Sequence, residues 1–578
     1  MFLNTMEKQE TKTHSSNSVS ATCQSCKASF TIEPDHFAFY KKMDVPVPDK
    51  CPDCRQQIRY AFRNERRLYR GVCNLCNKSI VTVYSPDKPF KVFCTSCFWS
   101  DKWSALDYGR DFDFTKPFFE QFYDLLLECP RIALLNKNTI NSDYTNHAGD
   151  NKDCYLSFCM FNCENMLYCT NTWEKGRDCV DCLYNPMNIS MCYECIDGEN
   201  LYNCQYGKFL KDCSDCFYSY DCRNCSNCFM CYNLRNKSYC INNEQYTRED
   251  YKKKMEEMYL GSRATRDKLY AEYINMIKQK AVHRCAVIDK SVDCTGNIVL
   301  NSKNSKRVFD IERAENVHFA AMSPDTKDCM DVYHVGLQTE LVYNSHAIVR
   351  SSNLISCNLS YDNTFAYYCD SCHNGQNLFG CVALKKNSYC IFNKQYTKEE
   401  YEKLVQKIKE HMKNTGEWGE FFPPKYSPIC YNETQGNVYM PLTKEDTLEK
   451  GFKWADDLGG TFGKETLKTL PDSISNTPDT ITKEVLACKK CSKNYNIVLA
   501  EFDLYKRMSV PIPEFCPDCR YLERQKLRTP RNLWHRVCVC DNTTHGHDQK
   551  CSNEFETPYS PDRTEKVYCE ECYKREVY

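Results

Sequence analysis

The sequence carries no surplus of charge: 76 Lys and Arg stand against 77 Asp and Glu, a formal net charge of −1 over 578 residues. No global field draws such a chain onto nucleic acid or acidic lipid, so any binding of that kind must be local. There is no run of about 18 apolar residues, which argues against a membrane-spanning helix. The opening MFLNTMEKQETKTHSSNSVS has no apolar stretch of the signal-peptide kind. Residues 1–20 therefore read as a disordered tail, and the chain as cytoplasmic. Also missing are a Gly-rich phosphate loop, a nucleophile elbow and an HExxH pair. The 12 histidines are scattered, except His545 and His547. With no catalytic constellation in view, the reading leans away from an enzyme.

Cysteine is what the sequence has in excess, with 43 residues. Thiols stay reduced in a cytoplasm, so pairs at short spacing favour metal over disulfides. Near the N-terminus stand Cys23-x-x-Cys26, Cys51-x-x-Cys54, Cys73-x-x-Cys76 and Cys94-x-x-Cys97. Each CxxC is a tight turn that aims two sulfurs at one point, and two such turns make a tetrahedral thiolate site suited to zinc. Near the C-terminus the pattern returns at a constant offset of 465, with Cys488, Cys491, Cys516 and Cys519. VPVPDKCPDCR becomes VPIPEFCPDCR, and Cys73 becomes Cys538. After the insertion CVCDNTTHGHDQKC the register resumes at 475, with Cys551, Cys569 and Cys572 completing the fourth set. That insertion adds Cys540, His545 and His547 as rival ligands. The chain therefore duplicates a module with two zinc sites, about four structural ions in all. Four thiolates close each site, and a small module of this kind depends on its metal to fold.

FAFYKKMDVPVPDKCPDCR resembles the bacterial "probable zinc-ribbon" family, whose mark is an aromatic FxFY stretch, a proline-punctuated segment and CPxCR. The resemblance covers residues 23–55 and 488–520. The architecture as a whole resembles long cysteine-rich zinc-ribbon proteins of candidate phyla radiation bacteria. What the family implies is zinc, with one ion held by two pairs taken in sequence rather than cross-braced. After each CPDC comes a basic stretch: Arg55, Arg59, Arg63 and Arg66 in one copy, Arg520, Arg524, Arg528 and Arg531 in the other. Residues four apart share a helical face, so each copy offers an Arg stripe. Two readings stand: contact with the phosphates of a nucleic acid, or a solvated face or salt bridges to an acidic neighbouring domain.

Between the modules lie two repeat arrays, 151–243 and 284–394, with a unit of mostly 12 residues. They close almost identically, in NKSYCINNEQYTREDY and KNSYCIFNKQYTKEEY. A unit this short fits one strand and turn of a β-solenoid, with Asn and Asp at the corners and Cys filling a narrow interior. Cys222, Cys225, Cys228 and Cys231 read CxxCxxCxxC, a candidate for an extra metal site of zinc or iron–sulfur type. A ladder of buried thiols is the plainer reading, and disulfides would form only in an oxidised sample.

The fold class expected is mostly β with α additions: two zinc-ribbon or treble-clef-like modules flanking a cysteine-rich β-solenoid with helical insertions. The divisions are a tail (1–20), module 1 (21–98), a helical connector (99–150), array 1 (151–243), a helical insertion (244–283), array 2 (284–394), a capping helix with linker (395–484), and module 2 (485–578). The function expected is a zinc-binding scaffold whose partner is a protein. The alternatives are an RNA- or ribosome-binding protein and a thiol-rich metal-storage or redox protein.

Overall fold

The computed structural model describes residues 18–173, 175–184 and 188–578. Most of the expected tail lies outside the described residues. Its last two positions already belong to strand Val19–Thr22, so the first module begins earlier than the sequence suggests.

Each module is built in the same order. A short antiparallel hairpin comes first: Val19–Thr22 with Ser29–Ile32, and Leu486–Ala487 with Asn494–Tyr495. A helix follows, Pro34–Lys42 or Leu499–Met508. Next comes the Arg-bearing helix, Pro52–Tyr60 or Pro517–Leu527, with Pro in its first turn where no backbone N–H is missed. A second hairpin closes the set, Tyr69–Val72 with Ser79–Thr82, and Trp534–Val537 with Glu554–Thr557.

The middle consists of parallel strands that pair with partners 12 residues further on. Ser214 lies beside Ser226, and Ser226 beside Ser238. Thr364, Gln376 and Ser388 repeat this in the second array, inside a sheet of 12 strands. A finer period runs beneath the 12. From Asn188 to Asn242 every third residue has a left-handed backbone, and the same rule holds from Leu341 to Phe392. Asn and Asp are frequent at these corners because their short polar side chains tolerate that region. They also stack on each other one step apart, as in Asn224 to Asn236 at 2.7 Å and Asn304 to Asn316 at 2.9 Å.

The residue after each corner points inward. Cys213, Cys216, Cys222, Cys225, Cys228 and Cys231 occupy such positions, as do Leu201, Leu210 and Ser219, and all are buried. Each array ends in an antiparallel turn-back strand, Glu244–Gln245 or Lys394–Gln395, which occupies the last parallel edge. Helices then leave the arrays. Thr247 caps Arg248–Glu257, the chain breaks at 258–262, and Arg263–Gln279 follows. Thr397 and Glu400 form a capping box for Lys398–Asn414, which buries Tyr401, Val405, Ile408 and Met412. The expected helices around residue 120 and after Thr443 are Phe118–Glu128 and Lys444–Glu449. With this much helix, the expectation of a mostly β chain is corrected: the protein is mixed α/β, with small antiparallel hairpins and parallel sheets.

Candidate metal centres and the arginine helices

The structure brings the 16 predicted module cysteines together as four groups, and each group takes two pairs in sequence. They are Cys23, Cys26, Cys51 and Cys54; Cys73, Cys76, Cys94 and Cys97; Cys488, Cys491, Cys516 and Cys519; and Cys538, Cys551, Cys569 and Cys572, with all sulfurs of a group within 4.8 Å of one another. Across the pairs, the sulfurs of Cys26 and Cys51 and of Cys491 and Cys516 are 3.7 Å apart, those of Cys76 and Cys94 3.9 Å, and those of Cys551 and Cys569 4.0 Å. A tetrahedron with metal–sulfur bonds of about 2.3 Å has an edge of about 3.8 Å. The donor set and its spacing therefore fit a divalent ion.

Local structure prepares the sulfurs. The first cysteine of every second pair is the N-cap of a helix: Cys51, Cys94, Cys516 and Cys569. The partial positive charge at a helix N-terminus favours thiolate there; Cys94 and Cys569 are lowered against burial, whereas the Cys54 thiol and burial push Cys51 up, and burial pushes Cys516 up to about 12. Burial pushes the Cys23 and Cys73 thiols up, but N–H groups of the neighbouring ligand cysteines outweigh it and bring both down to about 6. Cys488 is brought down to about 7 against burial in the same way. In the fourth group burial wins and Cys538 is pushed up to about 12. The insertion in that module lengthens the first turn, so Cys551 rather than the residue three places on from Cys538, Asp541, completes the set. Cys540, His545 and His547 are gathered beside it, with Cys572 common to both groups.

The Arg stripes do not face solvent. Arg55 and Arg59 are buried and point at Asp331, 2.8 and 3.5 Å away. Arg63 pairs with Glu65, itself buried. Arg520 lies 3.0 Å and Arg524 2.9 Å from Asp181. Arg528 reaches Asp197 at 3.0 Å and Asp310 at 2.5 Å, and Arg531 reaches Asp310 at 2.9 Å. Arg66 lies with its guanidinium 3.8 Å from the centre of the Tyr521 ring and donates to Thr170. A phosphate-contacting role for these eight residues is corrected on this ground. Their charges are met inside the protein, by acids of the repeat arrays, by Glu65 of the first module itself and by aromatic faces.

The acids Asp181, Asp197, Glu194, Asp310 and Asp331 were not singled out by sequence reasoning, and they do the positioning. Asp181 and Asp331 sit 150 residues apart, each at a left-handed corner of its array. The other contacts repeat at the same two offsets. Arg59 donates to Asn344 and Arg524 to Glu194. Tyr40 packs edge-on to Tyr343 at 5.7 Å, and Tyr505 to Tyr193 at 6.0 Å. Module 1 therefore seats its Arg helix on array 2, and module 2 seats its own on array 1. The arrays share a 150-residue offset in the sequence, visible in their matching ends, and that signal could have paired the two aspartates.

The run Cys222, Cys225, Cys228 and Cys231 occupies consecutive inward positions of one 12-residue step. Its spacing of three is that of the backbone corners, and Leu201, Leu210 and Leu234 keep the same spacing without any ligand atom. Each of the four thiols meets the carbonyl two residues back, and Cys228 and Cys231 also meet the one nine residues on, as Cys213 does: Cys213 reaches Lys211 and Cys222 at 3.3 Å each, and Cys231 reaches Phe229 at 3.3 Å and Cys240 at 3.5 Å. Ser157 makes the same two contacts through its hydroxyl, at 3.0 Å each. These cysteines thus fill a narrow interior and satisfy carbonyls that line it.

Among the described residues no helix is long and apolar enough to cross a membrane. No family model matches the chain. No curated protein matches it either. Among solved structures, a Desulfovibrio desulfuricans G20 protein provisionally named an acetyltransferase aligns over 46% of this chain and 69% of its own, at 8% identity and a TM-score of 0.09. A score that low carries no argument about fold or activity.

Proposed function

We propose that this protein is a non-enzymatic, zinc-stabilised scaffold of the zinc-ribbon kind. Zinc occupies the four thiolate quartets, and the two parallel stacks are β-solenoids clamped by the modules. The observation that supports this best is the closure of the quartets. All four positions around each ion are taken by sulfur, which is the pattern of structural rather than catalytic zinc. The burial of the Arg helices supports a scaffold over a nucleic-acid binder, because the cationic groups that would meet phosphate are already paired. Free thiols throughout fit a reducing compartment, and the cytoplasm is the reading that follows. The exposed outer faces of the stacks are the surface on which a protein partner would bind.

Elemental analysis of the purified full-length chain under reducing conditions tests the metal part. At least four zinc ions per chain are expected. Fewer than three would contradict the quartets. Capture of partners from native lysate, with and without nuclease, tests the rest: recovery that survives nuclease supports a protein partner, and recovery lost with nuclease contradicts it.

A further inference from the structure

The two modules keep a constant offset except at one place, the ten residues added between Cys538 and Cys551. Those added residues supply Cys540, His545 and His547, and the fold draws all three to Cys572. The four ligand atoms lie within 4.8 Å of one another, with Cys540, His545 and Cys572 buried. Cys540 Sγ is 3.2 Å from His545 Nδ1, and Cys572 Sγ is 3.5 Å from His547 Nε2. The other nitrogen of each ring is held from outside. His547 Nδ1 donates to the Gln549 carbonyl, which leaves Nε2 with its lone pair toward Cys572. His545 Nε2 lies 3.4 Å from the Glu576 carboxylate, which can accept from it when Nδ1 is the ligand atom. Metal-bound histidines are normally fixed in this way, by a carbonyl or carboxylate on the far side of the ring.

The backbone between the histidines is built for the same purpose. Gly546 has φ +89, in the left-handed region that favours glycine, and a Cβ there would fall 2.3 Å from Arg575 Nη1. Glycine enters that region without the cost a side chain would add, and the turn brings the two histidines to one place.

We propose that Cys540, His545, His547 and Cys572 hold a second metal ion in this module, joined to the ion of the fourth quartet by a bridging Cys572 thiolate. This rests on the reading that the quartet itself binds zinc. Charge favours the second ion. A divalent ion in four thiolates carries a net charge of about −2, and a buried anion of that size is costly unless a cation lies close. A second divalent ion adding only one new thiolate offsets it. Both ions then have four ligands and no open position, so the cluster is structural. The donor set of three sulfur- and nitrogen-bearing side chains plus a shared thiolate selects zinc or another borderline-soft divalent ion. Module 1 is the internal control: its corresponding turn, Cys73-Asn-Leu-Cys76, has no added residues and no histidine.

Native mass spectrometry of the full-length zinc-loaded chain, beside elemental analysis, tests this. The intact protein is expected to carry one ion more than the H545A/H547A variant, five against four if the quartets alone hold the rest. X-ray absorption at the zinc edge should show nitrogen ligands in the intact protein and none in the variant. C540S is a second route to the same loss of one ion. Four ions in the intact protein, with a count unchanged in H545A/H547A, would overturn the proposal and leave the quartets standing. A chain that binds no zinc at all would overturn both.

Discussion

Two aspartates, Asp181 and Asp331, each receive a pair of arginines in a site closed to water. Removing one partner of a buried ion pair leaves the other charge without compensation, at a cost of about 3–5 kcal/mol. Asp331 has φ 57, and Asn tolerates that conformation, so Asp331→Asn removes the charge with little change of backbone. It is expected to lower the unfolding free energy of the full chain, read from a urea titration, by an amount in that range. Asp293 is a fitting control. It too has a left-handed backbone, φ 54, but its side chain is 62% exposed in its pair with Lys306. Exposed pairs contribute about 0–1 kcal/mol, so Asp293→Asn should barely change that free energy. Equal effects from the two substitutions would contradict the burial of charge described above. The arginines of these pairs stood out in the sequence as stripes, but their partners did not. Asp331 lies 276 residues from Arg55, and nothing local to either residue marks the pairing.

At the scale of elements, the arrays rest on a corner at every third residue and an inward side chain after it. The 12-residue step was legible in the sequence, because Cys and the Asn and Asp before it recur at that distance. The three-residue side was harder to see. Its corner residue is held by backbone conformation rather than by one residue type, and Tyr206, Phe209 and Met230 take it as well as Asn. The quartets were legible for the opposite reason: CxxC at fixed separation has few other uses. Only the insertion blurred the fourth set, by moving one ligand from its expected place. The corners make a direct prediction. Asn227 has φ 51, so Asn227→Val, which puts a branched side chain in the left-handed region, should cost about 1–2 kcal/mol. Asn227→Gly should cost less, because glycine enters that region freely. At the inward position, Cys216→Ser should be tolerated to within about 1.5 kcal/mol, since a hydroxyl can meet the carbonyls of Ser214 and Cys225 as the thiol does. Thermal melts of the three variants in one buffer check the order. A valine variant as stable as the glycine variant would contradict the corner geometry.

On the scale of the whole molecule, the helices Pro52–Tyr60 and Pro517–Leu527 of the duplicated modules act crosswise, while the residues that follow them, Arg66 at Thr170 and Arg528 and Arg531 at Asp310, reach the other array. The quartet of Cys23, Cys26, Cys51 and Cys54 sits at the start of the helix whose arginines grip array 2, and its counterpart sits at the start of the helix that grips array 1. The two grips also touch each other, through Arg66 over the Tyr521 ring and Arg531 beside the Tyr60 hydroxyl at 3.3 Å. Metal at one end of the chain should therefore stabilise strands some 280 residues away, because binding free energy in a small metal-dependent module is folding free energy. Hydrogen exchange of the full-length chain, compared between the unaltered protein and Cys51→Ser, measures this coupling strand by strand. Exchange should rise in helix Pro52–Tyr60 and, with it, in Thr326–Tyr333 and Thr339–Val349 of array 2, while Ser214–Phe217 and Ser226–Phe229 of array 1 stay protected. Unchanged protection at 326–349 after loss of the first quartet, or a rise confined to array 1, would contradict the crossed, metal-held clamp.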